Sequence, residues 1–91
     1  MTTELSDFQR DALADVRNVL QEAGRSSESE SMLGNEEKYM AIAFGGYKVL
    51  LYVDGAELLG NGLDRRFEKY DFDSLDDLRT HFIREVRQLM T

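Results

Sequence analysis

The chain has 91 residues, no cysteine, and a net charge of −7 from 18 acidic and 11 basic side chains. Its length suits one domain with a single core layer, and a hydrophobic fraction of 42% is that of a folded protein. The absence of cysteine excludes a disulfide-stapled scaffold and any thiolate metal site, while the acidic balance argues against broad contact with nucleic-acid phosphates or anionic membranes.

The first element expected is a helix over residues 6–23. Ser6, Asp7, Phe8 and Gln9 read as a capping box, in which the Ser6 hydroxyl takes a free backbone N–H and Gln9 reaches back. Leu5, Phe8, Ala12, Leu13, Val16, Val19, Leu20 and Ala23 recur at spacings of three and four, the pattern of one buried stripe. Gly24 is the natural stop. The opposite face carries Asp7, Asp11, Asp15 and Glu22, a candidate contact surface for a basic partner, although acids on a helix face are more often simply solvated.

Residues 25–37 read as a flexible serine- and glutamate-rich loop, since only Met32 and Leu33 in it are apolar. A strand is expected over Tyr39–Phe44, where Met40, Ile42 and Phe44 alternate with small residues. Gly45-Gly46 then signals a hairpin. A second strand over 47–53 is apolar on both faces, as a central strand would be. Asp54-Gly55 signals another turn, Ala56 to Leu59 a short strand unless 54–62 is one long loop, Gly60-Asn61-Gly62 a further turn, and 63–72 a charged edge strand. A last helix over 75–90 is capped by Ser74 and buries Leu75, Leu78, Phe82, Val86 and Leu89.

The expected fold is therefore α+β: helix, an antiparallel meander of three or four strands, helix, with both helices on one face of the sheet. Asp77, His81 and Glu85 are four apart on the last helix, yet three residues at that spacing lack the ligand set of a strong metal site. No phosphate loop, nucleophile elbow or calcium loop is present in the sequence, so no enzyme chemistry and no cofactor is expected. Lys48, Arg65, Arg66 and Lys69, near Tyr47, Tyr52 and Tyr70, are the one basic and aromatic concentration, and supply the alternative of single-stranded nucleic-acid binding through the sheet. The leading expectation is a non-catalytic module that binds another protein with a basic surface. A homodimer joined through the sheet face or an edge strand is the other alternative. No apolar run reaches the ~20 residues of a membrane span, and the acidic N-terminus does not resemble a signal peptide, so a cytoplasmic location is expected.

Overall fold

A computed structural model describes residues 5–34 and 38–90. Among these the order is α1 (Asp7–Glu22), β1 (Ser29–Leu33), β2 (Tyr39–Phe44), β3 (Tyr47–Tyr52), β4 (Gly55–Gly60), β5 (Leu63–Glu68), a 3-10 turn at Lys69–Asp71, and α2 (Leu75–Leu89). The strands form one antiparallel meander in the order β1-β2-β3-β4-β5, and both helices contact each other and the sheet.

Each helix starts where its cap dictates. The Ser6 hydroxyl accepts the Gln9 N–H at 3.2 Å while the Ser6 N–H donates to Gln9 Oε1 at 2.9 Å, so the capping box is closed. Ser74 accepts the Asp77 N–H at 3.0 Å at the start of α2. Gly24, at φ +72°, follows the end of α1. Gln9 does more than cap. It is 1% exposed, and its Nε2 donates to the carbonyls of Lys38 at 2.9 Å and Leu51 at 3.0 Å, which pins the first turn of α1 to β3 and to the residue that leads into β2. A buried amide is tolerated only when its bonds are made, and here they are.

The core lies between the helices and one face of the sheet. Phe8, Ala12, Val16, Val19 and Leu20 of α1 and Leu78, Phe82 and Val86 of α2 meet Met40, Ile42, Phe44, Val49, Leu51, Leu58 and Phe67 of the strands. The two helices run side by side in the same direction. Asp15 pairs with Arg79 at 2.9 Å and Glu22 with Arg87 at 3.8 Å, further along both helices. With five antiparallel strands between them, β1 and β5 run the same way. A helix antiparallel to the strand beside it in the chain, at each end, gives this arrangement. Parallel helices bring their positive ends together, and Asp7, Asp76 and Asp77 in the two first turns offset that charge.

The sheet has five strands because residues 29–33, expected as loop, pair with β2 in the register Ser29↔Ala43 to Leu33↔Tyr39. Composition hid this strand, since its stability comes from backbone pairing and an ion pair rather than burial. Arg17 donates to Glu30 at 2.5 and 3.2 Å, and Ser27 Oγ donates to the same carboxylate at 2.9 Å. These bonds hold the Glu30 carboxyl below the ordinary carboxylate range. Residues 35–37 of the expected loop lie outside the described residues.

Two further boundaries moved. The turn expected at Asp54-Gly55 is at Val53–Asp54, and Gly55 opens β4 opposite Tyr52. The glycine serves close approach instead: a Cβ there would lie 3.0 Å from the Phe67 carbonyl oxygen. The last strand stops at Glu68, where the chain enters the 3-10 turn and Lys69 reaches Asp54 at 3.2 Å.

A candidate docking face on the open side of the sheet

Because side chains alternate along a strand, the core claims only half of each one. The other half forms three rows. The middle row runs Ser31, Ala41, Leu50, Glu57, Arg66, each opposite the next in the pairing registers. A second row runs Ser29, Ala43, Lys48, Leu59, Asp64. The third begins with Leu33 and Tyr39 and continues through Tyr52, Gly55 and Glu68. Both helices lie on the far side.

The centre of this face is apolar. Leu50, Ala43, Leu59, Tyr39 and Tyr52 are half-buried, and Ala41 is buried. The rings of Tyr39 and Tyr52 are tilted against each other at 5.2 Å. The Tyr52 hydroxyl donates to Glu57 at 3.0 Å; partial burial, and then that carboxylate, raise its pKa above the ordinary tyrosine value. Charge is confined mainly to the β5 side, where Arg66 pairs with Glu68 at 3.2 Å.

The sequence-predicted basic residues do not form one patch. Arg65 and Arg66 are consecutive in a strand and so point to opposite faces. Arg65 meets Glu85 of α2 at 2.5 Å and lies over the Phe67 ring at 5.5 Å. Arg66 is on the open face. Lys48 is on the same face in the neighbouring row, two strands away. Lys69 lines a cleft of about 270 Å³ at the end of the sheet with Tyr52, Asp54, Arg66 and Tyr70, and Asp54 raises its pKa. Three of the four cations thus have carboxylate partners within the molecule.

The acids of α1 are also engaged. Asp7 pairs with Arg10, Asp15 with Arg79 and Glu22 with Arg87, while Asp11 borders a shallow groove with Phe8, Leu75 and Asp76. Their sequence pattern therefore reflects the helix seam as much as an outward surface.

Asp77, His81 and Glu85 are not brought to one point. His81 Nδ1 is 2.8 Å from the Asp77 carbonyl oxygen and 3.5 Å from Asp77 Oδ1, its ring lies 5.2 Å from that of Phe72, and Glu85 turns to Arg65. Among the described residues no group of three or more His, Asp or Glu is placed to hold a metal ion.

The open face itself was only half visible beforehand. Apolar residues on both sides of β3 signalled a central strand, but not which of its sides both helices would take. No helix among the described residues is long and apolar enough to cross a membrane. No protein-family model matches the chain, and comparisons with curated proteins and with solved structures gave no match.

Proposed function

We propose that this protein is a non-catalytic protein-binding module whose contact surface is the open face of its sheet. The observation that carries this reading is the strip of Ala41, Ala43, Leu50 and Leu59 flanked by Tyr39 and Tyr52, apolar and, among the described residues, on the side of the sheet away from both helices. Apolar residues grouped contiguously on one face of a chain of net charge −7 mark an interaction site. Tyrosines at the rim supply large contact area with a hydrogen-bonding tip. The intramolecular pairing of Asp15 and Glu22 moves the preferred contact from α1 to the sheet. The remaining negative charge steers toward a partner with a basic rim around an apolar surface.

A photo-crosslinking residue placed at Leu50 should give an adduct with a second protein in host cells, whereas one at Arg84, exposed on α2, should not. Leu50→Lys should abolish the adduct formed from a crosslinker at Leu59 and leave the thermal midpoint within about 5 °C, because Leu50 is only half-buried. Adducts from Arg84 with none from Leu50 would move the contact to the helices.

A further inference from the structure

The two edges of the sheet are built differently. At one edge, β5 presents Asp64, Arg65, Arg66 and Glu68, the charged pattern that prevents strand-to-strand association. At the other, β1 has no such guard. Its single charge, Glu30, is held by Arg17 and Ser27, and its remaining residues are Ser29, Ser31, Met32 and Leu33. Met32 is 37% exposed and Leu33 44% exposed, two of the four large hydrophobic side chains exposed among the described residues. Beyond β1 the sheet has no further strand among those residues, and neither helix is centred over this edge, since α1 packs on β3 and α2 on β4 and β5.

We infer that β1 pairs antiparallel with β1 of a second copy, joining two sheets into one of ten strands. The register decides the occupant. A two-fold axis normal to the sheet places one residue opposite itself, and full overlap of the five-residue strand makes that residue Ser31. Ser29 then faces the partner's Leu33, and Glu30 the partner's Met32. No charge meets its like, and the exposed Met32 and Leu33 gain cross-strand neighbours. The same operation at β5 centres on Arg65 or Arg66 and sets arginine against arginine. Self-pairing is thus permitted at one edge and opposed at the other. This inference stands independently of the open face, although it would set two such faces side by side.

Two chains of net charge −7 repel, so this association strengthens with added salt, whereas docking of a basic partner weakens. The cysteine-free background makes the geometry directly testable. Under mild oxidation at ~100 µM, Ser31→Cys should form a disulfide-linked dimer, because opposed antiparallel residues lie ~4.5–5.5 Å apart at Cα, within disulfide reach. A mixture of Glu30→Cys and Met32→Cys should crosslink to each other, and Glu30→Cys alone should not. Neighbouring pairs alternate between close and wide spacing, so one of the two tests falls on the closer kind. Thr80→Cys, exposed on α2, is the background control. Crosslinking above that control in either test, with the salt dependence stated, supports the pairing. No crosslinking above control in both would overturn it, whether sedimentation then shows a monomer, a dimer joined elsewhere, or a complex with a different protein's strand.

Discussion

Gly60→Ala should lose about 3–5 kcal/mol of stability and lower the thermal midpoint by about 15–30 °C. Gly60 ends β4 opposite both Tyr47 and Leu63, at φ +119°. A Cβ there would overlap the Gly46 carbonyl oxygen and lie 2.7 Å from the Tyr47 Cα. Both obstacles are backbone, so no side chain can swing aside. The hairpin joining β2 to β3 would have to separate from β4 or the turn at 61–62 would have to reform. Gly62→Ala is the matched control: its φ is +84°, but nothing lies within 4 Å of the added carbon, so only the conformational term of about 1 kcal/mol applies. Equal losses for the two variants, read by circular-dichroism melts, would show that close approach is not what position 60 requires.

Phe82→Ala should lose about 3–5 kcal/mol, and Phe82→Leu roughly half of that. Phe82 is fully buried on α2, and its ring meets Phe67 of β5 edge-on, with centroids 5.4 Å apart and planes at 79°. Phe67 in turn lies 6.2 Å from Phe72. Deleting the ring opens a cavity where α2, β5 and the segment between them converge, and the surrounding elements are tied to the sheet and cannot collapse into it. Urea titration with an unchanged slope is the measurement. A loss below about 2 kcal/mol would mean that the site closes over the missing ring.

What the sequence disclosed follows from how each element is stabilised. The helices were legible at both ends and along their stripes, because caps at Ser6 and Ser74 and the spacing from Phe8 to Leu20 are local signals. The strands β2 and β3 were legible from alternation and from Gly45-Gly46. β1 was not, because an edge strand of Ser, Glu, Ser, Met and Leu borrows its order from β2 and from Arg17, thirteen residues earlier than Glu30. The turn at Val53–Asp54 was misplaced by one residue because Asp-Gly is a strong turn signal and Gly55 is needed for another reason. The dispersal of Arg65 and Arg66 was readable in principle, since adjacent strand residues cannot share a face. The pairing of Asp15 with Arg79 was not, because it spans 64 positions and depends on the odd strand count. The open face shares this limit. Periodicity shows that β3 is apolar on both sides, but which side the helices take is a tertiary matter.

The parallel helix seam has a kinetic consequence. Hairpins β2-β3, β3-β4 and β4-β5 each close over two residues, whereas joining α1 to α2 brings together positions 64 apart. Closure entropy rises by about 0.6 kcal/mol with each doubling of the loop, so the meander zips early and the seam zips last. Contacts absent from the barrier govern the native lifetime. Trimming Val19, which lies with Glu22, Arg87 and Met90 between the two helices, to Ala should therefore quicken unfolding while leaving the refolding arm of the chevron in place, and a displaced refolding arm would put the seam in the nucleus instead.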